Sequence, residues 1–287
     1  MQGVNKMSRV ELINIFEDTL SMCHTNQRLM NSINYSRQHN RVVTDENAAQ
    51  YLKPLPHDTG KKAEVIVSKK RSFEAASAYK GKRVCVLNFA SATNPGGGVK
   101  KGSSAQEECL CRTSTLYECL SVNAITHAFH KKHKWALKAG EIDALYNDDC
   151  ILTRGVTVFK QDTAMPVALP ENEWFDVDVI SCAAPNLRLL SQRDRDWEKK
   201  VTDQMLYEIY QKRIHRILDM ARWLESEVVI LGAFGCGAFA NPPKLVAKAM
   251  HAAIEAHIYD FETIELAIYD SPRDTSNYEA FAKELNQ

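Results

Sequence analysis

Short, largely apolar runs alternate along this chain with stretches in which apolar residues recur every three or four positions. Val84-Cys85-Val86-Leu87-Asn88-Phe89, Ile151 to Phe159, Val177 to Ala183, Val228 to Ala233 and Ile264 to Tyr269 read as buried strands, and Ala63 to Val67 as a sixth. Helical spacing runs from Arg9 to Met30 through Leu12, Ile13, Phe16 and Leu20. It returns from about Ser104 to His130 through Leu110, Thr113, Leu116, Tyr117, Leu120 and Ala124. A third amphipathic stretch lies between Arg193 and Glu227, and further helices are expected over Pro243 to His257 and at the C-terminal end. Apolar strands alternating with helices predict an α/β fold with a mostly parallel sheet covered on both faces. Ligands of such sheets bind beyond the carboxyl ends of the strands. The first eighty residues are expected as a helical accessory segment packed on a core of residues 81–287, with no linker long enough to divide the chain.

Two of the predicted strands run straight into glycine-rich loops. After Phe89 comes Asn94-Pro95-Gly96-Gly97-Gly98, then the seven residues Val99 to Ala105, then Gln106-Glu107-Glu108 at the start of a helix. Glycines reach φ > 0 and bring backbone close to a ligand, and their N–H groups cradle anions. Two carboxylates at the mouth of such a loop do not suit anion binding alone; they suit a ligand with both a phosphate and a bond to cleave. After Ala233 comes Phe234-Gly235-Cys236-Gly237-Ala238-Phe239-Ala240-Asn241-Pro242-Pro243, a second loop able to wrap a phosphate, with proline suited to open the next helix. A third strand ends in Ala183-Ala184-Pro185-Asn186.

Triple glycine, spacer and Gln-Glu-Glu resemble the signature of the microbial-type poly(ADP-ribose) glycohydrolases of the macrodomain superfamily. Gly-Cys-Gly-Ala-Phe and Ala-Pro-Asn resemble that family's second phosphate loop and a further element, and the likeness extends to the Glu17-Asp18-Thr19 step. The resemblance implies a macrodomain-like three-layer α/β/α sandwich with a mixed, mostly parallel sheet. It implies a hydrolase that cuts the ribose–ribose O-glycosidic bonds of poly(ADP-ribose), at chain ends, and releases ADP-ribose without metal or cofactor. ADP-ribosylated macromolecules are the partners so implied.

Glycosidases generally flank the scissile bond with two carboxyls. Adjacent helical residues point about 100° apart, so Glu107 and Glu108 cannot straddle one bond. One must transfer the proton and the other hold the sugar. By resemblance Glu108 is the acid that protonates the departing ribose oxygen and then activates water, and a raised pKa would suit it. Glu107 would then hold ribose hydroxyls. Asn94 would contact the terminal ribose; Gly96, Gly97 and Gly98 would line the diphosphate and ribose. Gly235, Cys236, Gly237 and Ala238 would form the opposite phosphate wall. Phe239 presses on ribose or adenine, or packs in the core. Gln106 orients the glutamates or a ribose hydroxyl, or only caps its helix.

Two other readings stay open: a binding module that holds ADP-ribose without cleaving it, and a hydrolase of mono-ADP-ribosyl linkages. Paired glutamates favour an enzyme. A nicotinamide-cofactor protein is disfavoured, since Gly96-Gly97-Gly98 does not fit Gly-x-Gly-x-x-Gly.

Composition narrows the setting. Lys and Arg number 36 and so do Asp and Glu, which argues against a broad basic nucleic-acid surface. No apolar run approaches the roughly 18 residues of a membrane span. Met1 to Lys6 lacks a signal peptide's apolar core, so a cytoplasmic protein with reduced thiols is expected. Among eight cysteines, Cys109-x-Cys111 lacks the second pair of a zinc site. His127, His130 and His133, interleaved with lysines, are expected as a solvated basic face rather than a metal site.

Overall fold

The computed structural model describes residues 7–51, 60–269 and 275–285. Seven strands form one sheet: β1 (Arg41–Val43), β2 (Glu64–Ser68), β3 (Val84–Phe89), β4 (Cys150–Val158), β5 (Phe175–Cys182), β6 (Val228–Leu231) and β7 (Thr263–Ala267). Their order is β1-β4-β5-β3-β6-β7-β2. The pairs β1/β4 and β4/β5 are antiparallel, and the four pairs from β5/β3 to β7/β2 are parallel.

Strands apolar at every position need cover on both faces, and alternate side chains go to opposite layers. Val84, Val86, Val228 and Ile230 pack into one core, while Cys85, Leu87, Val229 and Leu231 pack into another. The first core is roofed by α1 (Arg9–Thr25), α3 (Ser72–Ala76), α4 (Gln106–Thr113) and α5 (Leu116–Leu120), with α2 (Gln27–His39) lying over β4. The second is roofed by α8 (Leu187–Arg193), α10 (Asp203–Trp223), α11 (Pro243–Ala256) and α12 (Ser276–Leu285). Three short elements remain: α6 (Asn123–Ile125), α7 (Lys132–Ala139) and α9 (Trp197–Lys200). The result is the expected three-layer sandwich with a mixed, mostly parallel sheet.

Three expectations change. The helix expected over Arg9–Met30 is two helices, because Asn26 turns extended and its Oδ1 accepts the N–H groups of Arg28 and Leu29 at 2.9 and 3.2 Å. The long helix expected from Ser104 to His130 breaks at Ser114. There the backbone leaves the helix to pair with the end of β4: Thr115 N–H donates to Thr157 O, and Phe159 and Lys160 N–H both donate to Thr113 O. Further along, Thr126–Lys131 forms a π-helical turn that leads into α7. The first eighty residues, expected as helical, supply both edges of the sheet as well, through β1 and β2. Residues 1–6 and 52–59 of that segment lie outside the described residues.

Candidate active site

The carboxyl ends of β3, β5, β6 and β7 open into a cleft of about 400 Å³. Its wall includes Phe89 and Ser91 after β3, Ala184 after β5, Gly235 to Phe239 after β6, and Ile268 and Tyr269 after β7. The first turn of α4 brings Gln106, Glu107 and Glu108 to the same space, opposite Gly97.

Both glutamates are buried, at 3% and 7% exposure, yet their oxygens are treated differently. Glu107 Oε2 accepts the Ser91 N–H at 2.7 Å and Oε1 accepts from Asn88 Nδ2 at 3.4 Å. Asn88 is itself held by Ser181 Oγ at 2.9 Å. Burial, reinforced by the charge of Glu108, pushes the Glu107 carboxyl up to about 8, against the opposing hydrogen bonds from Ser91, Asn88 and Gly96. Glu108 Oε1 accepts the Gly98 N–H at 2.7 Å, while its buried Oε2 has no protein partner among the described residues.

The triple glycine folds onto these carboxylates. Gly97 sits at φ +58°, and a Cβ there would stand 2.5 Å from Glu108 Oε1 and 3.0 Å from Glu107 Oε2. Gly96, at φ +68°, lies against Tyr117, where a Cβ would meet Cδ2 at 2.8 Å. At least one amide of this loop is therefore taken by a carboxylate of the chain rather than left for an external anion.

The second loop is built differently. Gly235 (φ +79°) packs against Tyr210 and Ala184, and Asn241 Nδ2 donates to Pro185 O at 2.7 Å and Gly235 O at 3.0 Å, tying the loop to the Ala-Pro-Asn element. Gly237 and Ala238 are exposed along the cleft, and nothing lies within 4 Å of a Cβ built on Gly237. The amides of Gly237, Ala238 and Phe239 donate to no acceptor among the described residues, an arrangement suited to a diphosphate. Phe239 is half-buried and lines the cleft. Cys236 lies outside the lining, its thiol pushed up to about 12 by burial.

Two residues expected at the ligand bond to the protein itself, Gln106 within the cleft wall and Asn94 outside it. Gln106 turns to the protein: Oε1 accepts the Phe89 N–H at 2.9 Å, and Nε2 donates to Leu87 O at 2.7 Å and Ser72 Oγ at 3.0 Å. It clamps α4 to the end of β3. Asn94 is exposed, with Nδ2 on Thr93 Oγ1 at 3.0 Å, and is not part of the cleft lining.

The structure adds residues that the motifs did not single out. Arg71 enters the cleft with its guanidinium 4.2 Å above the Tyr269 ring and 3.4 Å from Cys109 Sγ. Asp162 faces the same corner; burial lifts its carboxyl to about 6, Oδ2 accepts the Phe73 N–H, and Oδ1 is unpartnered among the described residues. The cationic run Lys69-Lys70-Arg71 after a predicted strand could have flagged Arg71, whereas nothing local marks Asp162. Helix α1 braces the catalytic side. Thr19 Oγ1 donates to Arg112 O at 2.6 Å, and the buried Lys160 Nζ donates to Asp18 Oδ2, Thr19 Oγ1 and Ile15 O at 2.6, 2.8 and 3.1 Å. The three histidines share no solvated face: His130 and His133 are buried, and His133 Nε2 lies 2.7 Å from Asn147 Oδ1. Among the described residues no group of His, Cys, Asp and Glu could hold a metal ion.

A carboxylate pair closed under a glycine loop at the carboxyl edge of this sheet defines a macrodomain-type hydrolase. A family model for the microbial-type PARG catalytic domain matches residues 11–161, and the chain belongs to that family of poly(ADP-ribose) glycohydrolases. The poly(ADP-ribose) glycohydrolase of Thermomonospora curvata is similar over 96% of this chain and 99% of its own, at 25% identity and TM-score 0.80. The same enzyme bound to the inhibitor ADP-HPD gives TM-score 0.79 at 25% identity and the same coverage. The Deinococcus radiodurans enzyme in complex with ADP-ribose is similar over 88% of this chain and 96% of its own, at 30% identity and TM-score 0.73. A search of curated proteins by sequence gave no match. No helix among the described residues is long and apolar enough to cross a membrane.

Proposed function

We propose that this chain removes ADP-ribose from the ends of poly(ADP-ribose), with Glu108 as general acid and base. The observation that carries this is the unpartnered, buried Oε2 of Glu108, whose other oxygen is fixed by the Gly98 N–H. Protonated Oε2 gives its proton to the departing ribose oxygen as the glycosidic bond breaks, leaving an oxocarbenium-like sugar. Water then adds to that carbon and returns a proton to Glu108. The products are ADP-ribose with a free anomeric hydroxyl and a chain shorter by one unit.

Glu107, protonated near neutral pH, offers an O–H to a ribose hydroxyl, and Ser91 and Asn88 hold its orientation. Loop amides at Gly237, Ala238 and Phe239 take the diphosphate, and Phe239 presents its ring to the nucleoside. Gly97 forms the lid over the carboxylates, while Asn94, at the exposed rim, meets the distal part of the ligand. The choice of chain ends is the part of this reading that the family likeness carries; α1 packs behind the loop at Gly102. Work in the cytoplasm is supported by eight free thiols, six of them buried.

The test is incubation of the protein and of Glu108→Gln with poly(ADP-ribose), with separation of the products. The substitution should lower turnover by at least about a thousandfold while ADP-ribose affinity stays within a few fold. Turnover by Glu108→Gln would remove Glu108 as the acid. Binding without release by the unsubstituted protein would make it a reader, or an enzyme for another ADP-ribosyl bond.

A further inference from the structure

A cleft of about 400 Å³ is sized for one nucleotide-like unit, whereas every repeat of the proposed substrate carries a further diphosphate and adenine. The rest of the polymer must lie on the outer surface of the protein.

One surface of the molecule has the matching chemistry. No Asp or Glu occurs between Glu118 and Glu141, in a chain whose charges otherwise balance at 36 and 36. This acid-free stretch forms the π-helical turn Thr126–Lys131 and α7. Its inner face is buried through Phe129, His130, His133 and Leu137. Its outer face carries His127, Lys131, Lys134 and Lys138, spaced i, i+4, i+7 and i+11, which aligns them along one side of the helix. Beside them Trp135 is 60% exposed, an unusual state for so large an apolar ring.

The charges of the strip are available. Lys132 turns away to the buried Asp149, at 3.0 Å. Lys131 Nζ lies 3.0 Å from His127 Nε2, so the two side chains stand side by side on the outer face. Lys134 and Lys138 have no ion-pair partner among the described residues. The turn that carries the strip also packs, by its opposite and buried face, on the segment that follows β3. The buried His130 ring lies against the backbone of Ser91 and Ala92, and Ser91 both lines the cleft and holds Glu107.

We propose that His127, Lys131, Lys134, Trp135 and Lys138 form a docking strip for the poly(ADP-ribose) chain beyond the unit held in the cleft. The lysines meet diphosphates and Trp135 stacks on an adenine, the pairing of cationic groove and aromatic platform by which single-stranded polyanions are held. This extends the proposed function and rests on it.

The experiment uses the full chain carrying Glu108→Gln, so that polymer is bound without being cut. Affinity for size-fractionated long poly(ADP-ribose) and for ADP-ribose is measured with and without Lys131→Gln, Lys134→Gln and Lys138→Gln together, and separately with Trp135→Ala. The triple substitution should weaken long-chain binding about tenfold or more and reduce its salt slope by about two, from three lost phosphate contacts. Trp135→Ala should weaken it several fold, and ADP-ribose affinity should stay within twofold in both. Unchanged long-chain affinity would overturn the strip, and so would an equal loss for ADP-ribose, which would mean a distorted cleft. Single-stranded DNA competing at the same concentration, with the same loss on substitution, would reassign the strip to nucleic acid. Strip-dependent polymer binding by a protein that, with Glu108 intact, releases no ADP-ribose would sink the hydrolase reading alone.

Discussion

The two glycine loops are alike in composition and placement, each following a parallel strand, but their backbones do opposite work. In the first, the Gly98 amide is bound to Glu108, and the bare Cα of Gly97 leaves the space that the two carboxylates occupy. In the second, Asn241 supplies the internal tie, and Gly237 to Phe239 line the cleft with amides that have no acceptor among the described residues. The first loop spends an amide on a carboxylate, and the second leaves its amides open. Glycine allows both roles; the groups that surround it select one.

Substitutions at matched positions separate these roles. The largest effect is expected at Gly97→Ala, where the methyl group would meet both carboxylates and φ +58° is itself strained. Hydrolysis should fall by about a hundredfold or more through displacement of the acid, and ADP-ribose binding by much less; equal losses in steady-state kinetics and calorimetry would contradict the assignment. Next is Asn241→Ala, which leaves the buried Pro185 carbonyl without its donor, while Gly235 O keeps the backbone N–H of residue 241. Thermal unfolding should show a loss of about 1–3 kcal/mol. ADP-ribose affinity should drop while the turnover of saturated enzyme is retained.

Glu107→Gln has an effect that depends on pH. Burial raises Glu107 from 4.5 to about 8, so between those values the folded chain retains a proton that the unfolded chain has released. The stability from this group is fully present below 4.5 and lost as pH rises through 8. Glutamine never ionises, so the melting temperature of the variant relative to the unsubstituted protein should rise from pH 5 to pH 9. A constant difference would mean that Glu107 is ionised throughout. The smallest effect belongs to Gly237→Ala: with open space at the Cβ position, stability and turnover should be unchanged and ADP-ribose affinity should shift no more than a few fold. A collapse of folding there would show that the second loop is packed like the first.

Legibility differed by residue for physical reasons. The strands were readable because parallel strands covered on both faces are apolar at nearly every position, as β6 is throughout and β3 is apart from Asn88. Helix limits were less so. Nothing in the apolar spacing foretells that Ser114 and Thr115 pair with β4, more than forty residues away in sequence, and so break the helix. Gln106 reads as a ligand contact beside two glutamates, but its amide matches the open backbone groups of Leu87 and Phe89. His130 and His133 sit among lysines in sequence, and the helix turns them to the interior.

The sequence by itself determined the layer order, the two loops at the carboxyl edge, the placement of Glu107 and Glu108 on a helix start, and the family. All of these depend on residues close together in the chain. Tertiary structure decided that burial raises the Glu107 carboxyl, that Glu108 Oε2 has no partner among the described residues, and which loop keeps free amides. It also brought Arg71 and Asp162 into the cleft, and braced α4 with Thr19 and Lys160. Those outcomes turn on burial and on partners far apart in sequence, and a carboxylate's protonation or an amide's freedom depends on what the fold places against it.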